Sequence, residues 1–186
     1  MDNGTGYVGV GYGKKLPQGG GTGSELFYMK EVGQQIKVRL VTEPYVHDGP
    51  GATAARPFVK AAWGCILKNN SLEPGMEPKA VILTENGDVY ETIGDIYAQH
   101  GDPSKYDLVL TKQKKTQENG WKSAEVRVLA KDNGPTEAEI EMANAAQVAT
   151  PGQIEATMLI VTGKSAPKAA PAANSEYDPE FDPFAK

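Results

Sequence analysis

Apolar and charged residues alternate one for one over Gln35-Ile-Lys-Val-Arg-Leu-Val41. Only an extended strand sorts that pattern, placing Ile36, Val38 and Leu40 on one face and Lys37 and Arg39 on the other. The segment is expected to be a half-buried strand with a basic outer surface, and short segments of similar kind surround it. Leu26-Phe-Tyr-Met29 reads as a short strand, with Val32-Gly33 turning between the two. Residues 43–57, rich in Pro, Gly and Ala, read as a long loop, and Phe58 to Leu67 as the next strand. Another loop follows to Pro78. Lys79–Thr84 and Asp88–Ile93 flank Glu85-Asn86-Gly87, a hairpin signal because Asn-Gly accepts positive φ. Thr92 to His100 predicts a short helix stopped by Gly101-Asp102-Pro103.

Tyr106–Gln113 and Trp121–Leu129 predict a second hairpin, joined by the polar loop 114–120. Residues 133–146 form the clearest helix, with Pro135 near its start and acids in its first turns, where the helix dipole favours them. Weak alternation over Gln153–Val161 suggests a closing strand. Five to seven short strands with one or two short helices predict a mainly β fold. The economical architecture is a small β-barrel of the oligonucleotide-binding (OB) type, with a β-sandwich as the alternative.

The ends differ from the middle. Residues 1–24 hold nine glycines, with Tyr7, Tyr12, Lys14 and Lys15 among them, and read as a disordered Gly-rich arm. Residues 164–173 are a Pro/Ala/Lys linker, and 176–186 form an acidic tip with three aromatics. The folded domain is therefore expected over 25–163. The formal net charge is −5, but the excess of acid over base lies after residue 131 and the body before it is roughly neutral, so an anion-binding surface must be a local patch. One cysteine, Cys65, excludes an internal disulfide, and two histidines are too few for most metal or proton-transfer sites. No apolar run is long enough to span a bilayer, and no membrane association is expected.

Motifs for chemistry fail on context. Gly4-x-Gly6-x-x-Gly9 lacks the preceding strand and following helix of a dinucleotide site. Gly163-Lys164-Ser165 has Met158 where a phosphate-binding loop needs its upstream glycine. Cys65 lies in an apolar strand, which suits an inert thiol. His47 and His100 have no paired acidic or nucleophilic motif, and Glu137, Glu139 and Glu141 cannot converge on one site. No catalytic residue, metal site or cofactor is expected, and the chain does not read as an enzyme.

The basic and aromatic residues form a better set. If Val126 and Val128 face inward, Trp121 and Arg127 share the opposite face with Ser123 and Glu125. Lys112, Lys114, Lys115 and Lys122 surround the connecting loop, and Lys37 and Arg39 cover the earlier strand. Single-stranded nucleic acid asks for cations along its phosphates and flat rings on which any base can stack. Tyr28, Tyr45 and Phe58 are further stacking candidates, whereas Trp63 and Tyr106 share faces with apolar neighbours and belong to the core.

Phe27-Tyr28, Ile36 to Leu40, Pro44-Tyr45, Lys60 to Trp63 and Asp102 to Asp107, in that order before a basic hairpin, resemble the single-stranded DNA-binding proteins of tailed bacteriophages. The resemblance spans roughly residues 25–146. The tip Asp182-Pro183-Phe184 independently resembles the acidic ends of single-stranded DNA-binding proteins, although Ala185 and Lys186 follow it. The resemblance implies an OB fold that coats transient single strands in replication, recombination or repair, in the cytoplasm of the host cell. Lys37, Arg39 and the hairpin bases would line its groove. The tail, through Asp178, Glu180, Phe181, Asp182 and Phe184, would recruit replication or recombination proteins. An OB-fold protein-binding adaptor and a structural virion β-domain without DNA binding are the competing readings.

Overall fold

The computed structural model describes residues 24–49, 52–55 and 58–163. Residues 1–23 of the Gly-rich arm and the linker and tail, with the partner-binding residues expected there, lie outside the described residues, whereas Ser24, expected in the arm, is buried in the fold. The described chain is mainly β: strands β1 (Leu26–Phe27), β2 (Gln35–Leu40), β3 (Tyr45–Asp48), β4 (Val59–Asn70), β5 (Lys79–Asn86), β6 (Tyr106–Lys112) and β7 (Ala124–Lys131). Helix α1 (Gly87–His100) follows β5, and α2 (Glu137–Ala145) and α3 (Pro151–Thr162) follow β7. The strands form one open sheet in the order β1-β5-β4-β2-β6-β7, with β3 paired to β4.

The alternation read at 35–41 decides the register. Ile36 lies opposite Asn70 and Leu110, and Val38 opposite Leu67 and Leu108, so apolar side chains of three strands meet on one face. That face buries Phe27, Ile36, Val38, Trp63, Leu83 and Leu108 together with Val89, Ile93 and Ile96 of α1. Trp63 is 1% exposed and Tyr106 is fully buried, as their apolar strand-mates require. The opposite face of β4 and β5 is apolar too. Ala62, Ile66, Ala80 and Ile82 pack under Ala143, Val148, Ile154 and Met158 from α2, α3 and their connection. Strands buried on both faces read as continuous apolar runs, which is why Phe58–Leu67 shows no alternation.

Four expectations are corrected. No ladder closes the sheet between β5 and β7, so it is open where a closed barrel was expected. Helix α1 stands in the gap: the Ser123 N–H and hydroxyl donate to the Asp88 carboxylate near its start, at 2.5 and 2.8 Å. Lys131 Nζ reaches the His100 carbonyl at the other end, at 3.5 Å. Second, Asn86-Gly87 does not turn a hairpin. Asn86 is the extended N-cap residue of α1, and the segment expected as a strand over 88–93 is helical. Val89, Ile93 and Ile96 recur at helical spacing and are buried together.

Third, the expected closing strand at 153–161 is α3. Thr150 and Gln153 form a reciprocal capping box, Pro151 sits in the first turn, and Gly163 ends the helix at φ +66°. All three are helix signals that outweigh a weak alternation. The loop expected over 43–57 also contains β3, with Tyr45 paired to Ala62 and Asp48 to Val59.

Candidate nucleic-acid interface

The predicted site residues divide between two places. Near the far end of β2, Arg39 is only 3% exposed. Its Nε donates to Asp107 at 2.8 Å, Nη1 to Asp132 at 2.9 Å and to the Gly134 carbonyl at 2.5 Å, and Nη2 also pairs with Asp132. Asp107 further binds Lys37 at 3.0 Å and Lys68 at 2.9 Å, and Lys68 binds Glu139 at the start of α2 at 2.6 Å. Three cations meet three carboxylates. Burial opposes the charge on Arg39, but the hydrogen bonds to Asp132 and Asp107 outweigh it and raise its pKa. Burial likewise opposes the Asp107 charge, yet Lys68, Lys37 and Arg39 hold its pKa below the ordinary value. Arg39 therefore ties β2 to β6 and to the residues after β7, Lys68 makes the contact with α2, and the buried, fully paired guanidinium expected at a groove faces the fold instead of solvent. Lys37 keeps a 40% exposed side chain and is half available.

The other place is the connection between β6 and β7. Asn119 knits it: its side-chain N–H groups donate to Gln113 Oε1 at 3.1 Å and to the Lys114 carbonyl at 2.9 Å, and its Oδ1 accepts from the Thr116 N–H at 3.0 Å. The Trp121 N–H donates to the Thr116 carbonyl at 2.7 Å, and the Lys122 N–H reaches the Asn119 carbonyl at 3.4 Å. Between those two residues, Gly120 and Trp121 have φ of +64° and +63°. Two consecutive positive φ values suit a tight hairpin turn. Glycine adopts them without strain, whereas a side chain as bulky as Trp incurs a cost on the order of 1 kcal/mol.

Trp121 is nevertheless 62% exposed, so burial offsets little of that cost. Lys114 and Lys122 beside it are exposed and have no ion-pair partner among the described residues. The connection thus presents an exposed flat ring and two exposed ammonium groups, able to meet a π-face and its neighbouring anions. Trp121 stands in the turn and Ser123 is buried against Asp88, so the four-residue face expected with Arg127 does not form.

Lys112 and Lys115 are partly committed. Lys112 lies 3.7 Å from Glu85, a carboxylate 2% exposed that also accepts from the Met29 N–H. Burial raises the Glu85 pKa, against the pull of Lys112. Lys115 pairs with Asp88 at 3.3 Å. Burial opposes the Asp88 charge, but the Ser123 donors and Lys115 lower its pKa. Arg127 is exposed on the outer face of β7, in one cross-strand row with Val109 and Lys37.

Of the other stacking candidates, Phe58 is 37% exposed, while Tyr45 stacks on His47 with ring centres 5.8 Å apart. Val59, next to Phe58, lies against Gly87 at the start of α1, which places that edge beside the hairpin base. Sequence reading missed the exposed Tyr90 and Tyr97 on α1, because their segment was divided between a strand and a shorter helix. Their spacing with Gly94, at i, i+4 and i+7, was the available signal. Cys65 is fully buried and its thiol is pushed up to about 12 by desolvation, in keeping with an inert core residue. Among the described residues no group of acids, His and Cys could hold a metal ion, and no helix is long and apolar enough to cross a membrane.

Comparisons with protein-family models, curated proteins and solved structures returned no match for this chain.

Proposed function

We propose that this chain is a sequence-tolerant single-stranded DNA-binding protein whose body engages the strand chiefly through the β6–β7 connection. The observation that carries the reading is Trp121, exposed in a left-handed turn position in the same connection as Lys114 and Lys122, which have no ion-pair partner among the described residues. Backbone strain kept at an exposed aromatic has no stabilising role to explain it, and strain of this kind gathers at functional positions. A base stacked on such a ring contributes roughly 1–3 kcal/mol whatever its identity.

Connectivity supports the reading. Taking β2, β4, β5, β6 and β7 as five principal strands, the first pairs with the second and fourth, and a helix joins the third to the fourth. That is OB-like order, left open at the seam filled by α1. OB folds bind oligonucleotides on the face of their second and third strands and on two connecting loops. Here α2 and α3 cover that face of β4 and β5. The strand is therefore assigned to the loops: the β6–β7 connection, with Lys112, Lys115 and Trp121, and the Phe58 edge, with Lys37 and Arg127 as outlying contacts. The acidic C-terminal segment, through Asp178, Glu180, Phe181, Asp182 and Phe184, is proposed to recruit replication or recombination proteins, its composition being the support.

Titration with oligothymidine across a salt series tests the reading. Each phosphate neutralised on a single strand contributes about −0.7 to the log–log salt slope. A slope of zero, or an unchanged affinity in Trp121→Ala, rejects it. Truncation after Gly163 tests the tail: it should abolish partner capture and raise DNA affinity, most at low salt.

A further inference from the structure

A groove of about 330 Å³ opens between α1 and the β2–β3 connection, at the end of β2 remote from the β6–β7 connection. Trp63 forms part of its floor, Tyr90, Gly94 and Tyr97 supply a stripe along α1, and Pro44 and Pro103 stand among its walls. Tyr97 is 58% exposed and Tyr90 38%, an aromatic surface that the DNA-binding reading does not use.

The charge around this groove decides what it can hold. Glu43 lines it, and Glu91 and Asp95 lie on the adjoining exposed flank of α1. None of the three has an ion-pair partner among the described residues, and α1 carries no lysine or arginine. Asp102 and Lys105, beside Pro103, offset each other. An acidic rim repels phosphates and equally repels the acidic C-terminal segment. It suits a basic segment with apolar and aromatic residues. The chain has one such segment outside the described residues, Tyr12-Gly-Lys-Lys-Leu-Pro17.

That segment is within reach. Ser24 is fastened by its hydroxyl to the Ala146 carbonyl at 2.8 Å. Two residues further, the Val148 carbonyl presses on Gly64 so closely that a Cβ there has no room. The Gly64 N–H donates to Thr42 Oγ1 at 2.8 Å, and Thr42 lines the groove. A short chain of direct contacts thus links the point where residue 24 is held to the groove wall. The seven residues 17–23 extend to roughly 23 Å at about 3.3 Å each.

We infer that residues 12–17 dock in the α1 groove of their own chain, with Tyr12, Leu16 and Pro17 against its aromatic floor and Lys14 and Lys15 against Glu43, Glu91 and Asp95. The inference is independent of the DNA-binding reading, because it uses neither the β6–β7 connection nor its lysines.

A nitroxide on a cysteine introduced as Gly13→Cys in the full chain tests it. Cys65 is buried and its thiol pKa is about 12, so the label goes to the new site. Paramagnetic loss of amide peak intensity is expected at Gly94, Tyr97 and Ser104 and not at residues 114–122. A Cβ at Gly94 meets nothing within 4 Å, so Gly94→Lys blocks the groove and adds repulsion without disturbing the helix. That variant, and separately Lys14→Glu with Lys15→Glu, should restore the lost intensity. Loss spread evenly over the surface, loss centred on the β6–β7 connection, or loss that both variants leave in place overturns the inference. So does loss transferred to isotope-labelled, nitroxide-free chains in a mixture, which would assign the groove to a second copy.

Discussion

Two regions of this molecule are built from similar charged residues and use them in opposite ways. Around Asp107, three cations and three carboxylates satisfy one another, Arg39 is buried, and the cluster ties β2, β6, the residues after β7 and α2 together. At the β6–β7 connection the backbone is tied down by Asn119, while Lys114, Trp121 and Lys122 face solvent. The first region has committed its charge to the fold. The second has fixed its backbone and left its charge unmatched. A list of basic residues cannot separate them; what each cation touches can.

The largest expected effect breaks the first region. Asp107→Asn leaves Arg39, Lys37 and Lys68 short of a carboxylate, and loss of one partner from a buried ion cluster costs about 3–5 kcal/mol. Chemical denaturation measures it, and a loss within the ordinary range of a surface substitution would show that the cluster is ornamental. The pH dependence follows from the same groups. Asp107 and Glu139 have folded pKa values below their ordinary ones. Their stabilisation is complete above the ordinary carboxylate range and is lost as pH falls through the lowered values. Asp107→Asn should flatten the acid limb of the melting curve.

The next expected effect concerns Trp121 and sharpens the contrast, because two properties should move in opposite directions. Trp121→Gly relieves the positive φ and should stabilise the fold by about 1 kcal/mol. It should also weaken oligothymidine binding by roughly 1–3 kcal/mol. Denaturation and titration on the same sample check both, and a variant that loses stability would mean that the ring packs on the body.

Glu85 lies beside the start of the β6–β7 connection, 3.7 Å from Lys112, and its pKa shifts in the opposite direction to that of Asp107. Its pKa is raised, so stability falls as pH rises from the ordinary carboxylate value to the raised one. Glu85→Gln, which keeps an acceptor for the Met29 N–H, should melt above the parent at neutral pH, and the difference should vanish below about pH 4. An equal gain at all pH values would trace the effect to packing instead of charge.

The smallest expected effects are those of the connection's lysines on stability. Lys114→Ala and Lys122→Ala should each change it by no more than about 0.5 kcal/mol, while each removes about 0.7 from the salt slope of DNA binding. A slope that stays unchanged would place the strand elsewhere.

The sequence by itself determined what depends on neighbours along the chain. The alternation at 35–41 specified a strand and its faces, and the apolar run of 59–67 specified a buried one. Thr136 with Glu139 marks the start of α2. The signals of α1 and α3 were present as well, in Val89, Ile93 and Ile96 and in Thr150-Pro151. They were outweighed by Asn86-Gly87, which suits a turn and a helix start equally, and by a chance alternation. Tertiary structure alone decided the fate of each charge. Lys37 and Arg39 are the same kind of residue on the same strand face, yet Asp132 and Gly134, more than ninety positions away, close over one and not the other. It also decided that the sheet stays open, because α1 fills the gap between β5 and β7, and that Trp121 stands in a strained turn, because Asn119 ties the backbone beneath it. Burial and ion pairing are set by residues distant in sequence, and no local pattern encodes which cation will be left in water.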